Sequence, residues 1–130
     1  MRAALIAGAT FALTSLIVLP ALAQDAGPAK VGQAAGAPVL TDQKGMTLYT
    51  YHRDMVGYSN CNGDCATAWP PFLADATATA SGDWSIIVRD DGRRQWAYKG
   101  HALYAWTKDV RPGDAAGEGA DGGKWHAAKP

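Results

Sequence analysis

The chain spells one short phrase twice. Leu48 to Asp54 reads LYTYHRD, and Leu103 to Asp109 reads LYAWTKD. The match extends upstream in the same register, with Lys44-Gly45-Met46-Thr47 standing against Lys99-Gly100-His101-Ala102. Downstream it resumes after one residue of slippage, where Trp69 is answered by Trp125. Self-similarity of this kind marks a duplicated supersecondary unit, and two copies are too few to stack as a solenoid. Both units, at about 39–72 and 84–130, are therefore expected to pack into a single domain.

Each heptad parses as a strand. Side chains alternate along extended backbone, so Tyr49 and Tyr51 share one face, while Leu48, Thr50 and His52 share the other. In the second copy Tyr104 and Trp106 form the aromatic face, opposite Leu103, Ala105 and Thr107. Asp54 and Asp109 fall where each strand ends. There an aspartate accepts backbone N–H bonds and fixes a turn. The six residues Tyr49, Tyr51, Asp54, Tyr104, Trp106 and Asp109 are thus read as structural.

The flanking segments supply the partner strands. Pro38–Thr41 leads through the turn Asp42–Gly45 to Met46–Tyr51. Trp84–Arg89 leads through Asp90-Asp91-Gly92 to Gln95–Tyr98, and Lys99-Gly100 then turns the chain into Ala102–Trp106. Asp-Gly and Lys-Gly between β-branched or aromatic runs are hairpin signals. Composition agrees: the chain has 15 Gly, and among its acids only Glu118 is not Asp. No window places apolar residues at helical spacing over three turns. The expected fold is mainly β, a small antiparallel sheet or sandwich-like domain. At most one short helix is expected, at Asp64–Trp69, stopped by Pro70-Pro71.

The first 23 residues have a different logic. Arg2, the apolar run Ala3–Leu19 and Ala21-Leu22-Ala23 make a basic region, a hydrophobic region and a small-x-small cleavage site. A signal peptide at 1–23 is expected, with delivery to the periplasm or the medium. Residues 24–38 hold scarcely a large side chain and are expected to be a flexible leader before the domain at 39–130. The first cysteine is Cys61, so no lipid-bearing cysteine follows the hydrophobic run, and no stable membrane anchor is expected after cleavage.

In an oxidising compartment Cys61 and Cys65, the only two cysteines, are expected to form a disulfide across the turn Asn62-Gly63-Asp64. The alternatives are a redox-active dithiol or a pair of soft metal ligands. The spacing C-x-x-x-C does not match the usual redox motif.

The residues quoted so far carry a resemblance. Both heptads fit the Y-x-[FWY]-x-x-D motif of a family of small bacterial secreted proteins and predicted lipoproteins, the secreted repeat of unknown function. The turn TDQKG before Met46, AWPP at 68–71, QWAYKG at 95–100 and the terminal KWHAAKP are similar to it as well. The resemblance implies a small periplasmic or cell-envelope protein. It departs from the lipoprotein-like members in lacking the lipid-bearing cysteine.

Chemistry-bearing sets are few. Twelve basic and twelve acidic residues cancel, leaving no basic stripe for nucleic acid. No serine sits in G-x-S-x-G, and no nucleophile–base–orienter set emerges from spacing, so no catalytic residue and no enzymatic activity are expected. Met46, His52, Met55, His101 and His126 are soft or borderline ligands suited to copper or zinc. Their spacing matches no regular site, and no resident cofactor is expected. Asp114, Glu118 and Gly119 occupy three places of a calcium-loop pattern, but Ala116 and Trp125 stand where ligands belong. A plain flexible acidic loop is the expected reading.

The chain has five Trp and five Tyr, which build a core and also offer a face for a glycan, a small aromatic ring or an envelope protein. The function expected is an exported, non-enzymatic binding or structural module. A periplasmic metal-binding or redox accessory protein is the alternative. Sequence leaves ligand and oligomeric state open.

Overall fold

Each unit opens with a hairpin whose turn uses left-handed backbone. A computed structural model describes residues 4, 7–17 and 27–130. The elements are β1 (Lys30–Ala34), β2 (Ala37–Thr41), β3 (Tyr49–Tyr51), α1 (Asp64–Ala68), β4 (Trp84–Val88), β5 (Arg94–Tyr98), β6 (His101–Ala102), α2 (Ala120–Gly123) and β7 (Trp125–Ala127). They form three small antiparallel sheets: β1-β2, β3-β7 and β4-β5-β6. The mainly β expectation holds. Ala35-Gly36 between β1 and β2 turns with φ of 51° and 75°, Gly92 between β4 and β5 has φ 85°, and Lys99-Gly100 between β5 and β6 turns with 49° and 84°. Two successive positive φ values match the twist of the flanking strands.

Of the expected strand Ala102–Trp106 only the start survives, as His101–Ala102, and Tyr104 beyond it makes isolated bridges to Tyr49 and Pro71. Two further features differ from expectation. The leader placed at 24–38 contains a strand, since Lys30–Ala34 pairs with Ala37–Thr41. Its small residues serve close approach rather than disorder. A Cβ on Gly32 would stand 2.8 Å from Thr41 Cγ2, and Ala34 and Val39 are buried. Residues 24–26 lie outside the described residues. The second difference is α2, a further helical turn beyond the single helix expected. Asp121 and Gly122 inside it are left-handed, so no apolar periodicity announces it. Like α1, it delivers the chain to a buried tryptophan.

The cleavage site expected after Ala23 also lies outside the described residues. Residues 7–17 carry no helix or strand, and Phe11, Leu13, Leu16 and Ile17 are exposed. Among the described residues no helix is long and apolar enough to cross a membrane.

The two units exchange their closing segments. In the first, Leu48 N–H donates to Leu40 O, and Leu48 O accepts from Ala128 of the second unit. In the second, Leu103 N–H donates to Trp96 O, and Leu103 O accepts from Phe72 of the first. Leu40 N–H and Trp96 N–H complete the triads on Ala128 O and Phe72 O. A loop follows each hairpin and returns as a short closing segment. The return lands on the opposite unit. Between them, Tyr49 and Tyr104 bond reciprocally, N–H to O at 2.8 and 3.0 Å, so equivalent residues meet at a pseudo-twofold centre.

The alternation read in the heptads divides the core in two. Leu48 and Leu103 point to one cluster with Leu40, Trp84, Ala29 and Ala128. Tyr49 and Tyr104 point to the other with Trp69, Trp125, Cys61 and Ile87. The aromatic faces make a column: Trp106, Trp69, Trp125 and Tyr51 stack with centroids 3.8, 3.8 and 4.2 Å apart. Tyr49 meets Trp69 edge-on at 5.3 Å, and Tyr104 meets Trp125 edge-on at 5.1 Å. Edge-to-face and stacked pairs contribute about 0.5–1.5 kcal/mol each beyond area burial.

Exchange of the closing segments makes each half depend on the other. Residues 27–80 expressed alone are expected to show no cooperative melting transition by circular dichroism, and to regain one when mixed with residues 81–130. A sharp transition in either half by itself would contradict the exchange.

Candidate functional site

The heptad aspartates and the first heptad aromatics are bonded crosswise. Tyr49 Oη donates to Asp109 Oδ2 at 2.6 Å, and Tyr104 Oη donates to Asp54 Oδ2 at 2.6 Å. The second oxygen of each carboxylate anchors its own loop, as the sequence suggested: Asp54 Oδ1 accepts from Asn60 N–H and Asp109 Oδ1 from Ala116 N–H. Burial, and next the bond to Asp109, push the Tyr49 phenol far above its ordinary pKa. Burial and then the Asp54 bond do the same to Tyr104. Desolvation also raises Asp54, against the lowering effect of Tyr104, Asn60 and the charges of Arg89 and His101. Gly117 completes the Tyr49 side, where a Cβ would come within 2.7 Å of the Trp69 ring.

Arg89 is buried beside the second pair. Its Nη1 donates to Ser59 Oγ at 3.0 Å and Gln95 Oε1 at 2.6 Å, and its Nη2 donates to Cys61 O. Ser59 Oγ lies 2.6 Å from Tyr104 Oη, so one chain runs Arg89–Ser59–Tyr104–Asp54. Arg89 Nε, alone among the buried side-chain N and O atoms of the described residues, has no hydrogen-bond partner. Sequence reasoning missed Arg89, Ser59 and Gln95. The hairpin register sets Arg89 against Ala34 and Gln95 against Val39, an apolar pair in the first unit. That contrast within the duplication was the available signal.

The disulfide Cys61–Cys65 is present, with Cα atoms 5.2 Å apart. Cys61 is fully buried and Cys65 packs against the same cluster. The bridge holds α1 on the carbonyl that Arg89 grips.

The five candidate metal ligands are scattered. Met46 is half-buried in the turn after β2, and its N–H donates to Asp42 Oδ1. Met55 is exposed at a tight turn closed by Met55 and Tyr58. His101 is exposed at the start of β6. His52 follows β3 and its N–H donates to Lys124 O, while His126 in β7 pairs with Thr50. His126 Nδ1 sits 3.0 Å from Glu118 Oε1. Among the described residues no three His, Cys, Asp or Glu side chains cluster to hold a metal.

The acidic loop at 113–123 is tied down rather than flexible, which corrects the expectation. Asp114 Oδ2 accepts from the N–H groups of Val110 and Arg111, which hold its carboxyl below the usual range. Glu118 is bonded by His126 and by Ala127 N–H. Although partial burial opposes them, these bonds keep its carboxyl low. Both acids are thus committed inside the protein and do not converge as calcium ligands.

The second aromatic group lines a cleft, with Trp84 buried and Trp96 and Tyr98 half-buried. Trp84, Trp96 and Tyr98 line a cleft of about 910 Å³, with Val31, Leu40 and Pro28 on one wall and Thr79, Ser81 and Asp83 at the rim. Trp84 meets Trp96 edge-on at 6.0 Å and Tyr98 at 5.0 Å. In the register of the duplication these three rings stand where the first unit has Ala29, Leu40 and Asp42. The three rings belong to one unit only, although the cleft they line is walled by both.

Taken together, fold and site define a small β-domain of two units, closed by exchanged segments and crosswise Tyr–Asp pairs. The chain belongs to the family described as a secreted repeat of unknown function, which matches it twice, at residues 30–73 and 85–129. The matched copies begin with β1 and β4, in agreement with the corrected boundary. No curated protein and no solved structure matches the chain.

Two predictions follow from the crosswise pairs. Tyr49→Phe and Tyr104→Phe each strand a carboxylate oxygen, and urea unfolding is expected to show a loss of about 1.5–3 kcal/mol for each. A loss below half a kcal/mol in both would show that the pairs are incidental. The second concerns pH. Because the folded Asp54 carboxyl is raised, its contribution is fully present below the unfolded pKa and is lost as pH rises through the folded value. The stability of the wild type minus that of Asp54→Asn should therefore fall with rising pH across and just above the ordinary carboxylate range. A flat difference would contradict it.

Proposed function

We propose that the protein is an exported, non-enzymatic binding module of the periplasm or cell envelope, and that its cleft receives a neutral glycan. The observation that carries this reading is the cleft floored by Trp84, Trp96 and Tyr98 with Thr79, Ser81 and Asp83 at its rim. Its size lies in the range of small-molecule sites, which combine apolar walls with a few placed polar groups. Indole and phenol faces suit the C–H faces of a sugar ring. The rim hydroxyls and the carboxylate suit its hydroxyl groups, whereas a plain aromatic ring would leave them unpaired. Charge balance favours a neutral ligand over an anionic one.

A non-enzymatic role is supported by how the polar side chains are used. Ser59, Arg89, Asp54 and Asp109 bond one another or the backbone. Export is supported by the secreted description of the family and by the disulfide, which persists in oxidising compartments.

The test is calorimetric titration of the purified protein with neutral oligosaccharides, glucans and chitooligosaccharides included, alongside Trp96→Ala. Saturable binding is expected, weakened at least tenfold by the substitution, a change of about 1.4 kcal/mol. Equal heats for both proteins would remove the cleft from consideration.

A further inference from the structure

The ring column brings its two central indoles unusually close and nearly parallel. Trp69 and Trp125 lie 3.8 Å apart at an interplanar angle of 2°. Neutral aromatic pairs usually pack with their centroids about 4.5–7 Å apart, so this pair is unusually close. A face-to-face pair becomes favourable when one electron is removed, because the positive hole then spreads over both rings. The column continues outward in near-parallel steps to Trp106 and to Tyr51, at 24° and 14°. Both outer rings are half-buried and so reach the surface.

The phenols flanking the central pair are set up to give a proton away. Tyr49 touches Trp69 edge-on and donates to Asp109, while Tyr104 touches Trp125 edge-on and donates to Asp54. Each tyrosine therefore combines contact with the stack and a carboxylate 2.6 Å from its hydroxyl oxygen. One-electron oxidation makes a phenol strongly acidic, and a carboxylate already in place receives the proton without solvent access. At the outer end, the Lys108 ammonium stands 5.7 Å from the Trp106 centroid. A cation there disfavours a second positive charge on Trp106 and drives it inward.

The geometry points to a one-electron relay, in which a hole entering at Trp106 passes to the Trp69–Trp125 pair and is trapped at the Tyr49–Asp109 and Tyr104–Asp54 pairs. The steps balance. An outer-sphere one-electron oxidant takes one electron from the Trp106 indole and is reduced by one. Trp69 and Trp125 pass an electron outward in turn, and no bond forms or breaks in the stack. Tyr49 or Tyr104 then gives up one electron to the tryptophan cation and one proton to its aspartate, leaving a neutral tyrosyl radical and a carboxylic acid. This relay is independent of the cleft and of any glycan.

The test uses a photogenerated ruthenium(III) tris-bipyridine oxidant on the purified full-length protein, read by transient absorption and by electron paramagnetic resonance after freezing. A tryptophanyl signal is expected to decay into a tyrosyl signal at a rate independent of protein concentration and slowed in deuterated water. Trp106→Phe, which keeps a ring in place, should lower the tyrosyl yield severalfold. Asp54→Asn combined with Asp109→Asn should leave tryptophanyl radical at the expense of tyrosyl. Tyr51→Phe and Tyr58→Phe should leave the yield unchanged. Loss of the tyrosyl signal in either of those two variants would place the radical at the surface and overturn the relay. So would a rate that scales with protein concentration, or a wild-type protein that forms no tyrosyl radical. If the double aspartate variant does not fold, Trp106→Phe alone decides: an unchanged yield overturns the proposal.

Discussion

The fold depends on the meeting of Tyr49 with Tyr104. Their backbones exchange two hydrogen bonds across the pseudo-twofold centre, and their phenols reach past each other to the opposite unit's aspartate. Every other long-range feature is registered by that contact. Leu48 and Leu103, one residue earlier, are fixed toward the second cluster because strand side chains alternate. Tyr51 and Trp106, two residues later, are fixed toward the aromatic column. Asp54 and Asp109, five residues after the tyrosines, are placed to receive the swapped phenols. The motif's spacing is thus a description of one junction, written once from each side.

That explains why the heptads were legible as strands and only half legible as interactions. Alternation reveals which side chains share a face, and a loop aspartate announces a local cap. Both readings hold. Nothing in one copy shows that the tyrosine's partner lies in the other, because the bond spans 60 residues for Tyr49 and 50 for Tyr104. The exchange of Phe72 and Ala128 was hidden for the same reason, since a return strand reads alike whichever unit it joins. The strand β1 was misread for a different cause. Its residues bury little apolar area, and its stability comes from backbone pairing and from the close packing that Gly32 and Ala34 permit.

The polar interior was the least legible part. Arg89 and Gln95 lie on strands whose pattern is otherwise ordinary, and an arginine in a strand is expected at the surface. Here its guanidinium ties β4 to the Cys61 carbonyl and to Ser59, so the disulfide loop and the second hairpin are held as one piece. The desolvation cost of such a charge is large unless it is hydrogen-bonded on several sides. Four hydrogen bonds from Nη1 and Nη2 offset that cost. The first unit meets the same geometric need with Ala34 and Val39, a solution with no polar group to satisfy.

A duplicated domain separates what folding requires from what it permits. Positions kept alike in both units, such as Tyr49 and Tyr104, Asp54 and Asp109, Leu48 and Leu103, or Trp69 and Trp125, sit at the centre and serve the junction. Positions that differ are free of that demand, and their chemistry needs another reason. Cys61 and Cys65, Arg89 and Gln95 are accounted for by local anchoring. The trio Trp84, Trp96 and Tyr98 is not, because Ala29, Leu40 and Asp42 serve in the equivalent places without an aromatic ring. Trp84 is buried in the second cluster, whereas Trp96 and Tyr98 pack against it half-buried and keep part of their rings at the cleft beside a polar rim. Their presence in one unit only is the physical argument for proposing a binding role at that cleft rather than in the repeated motif.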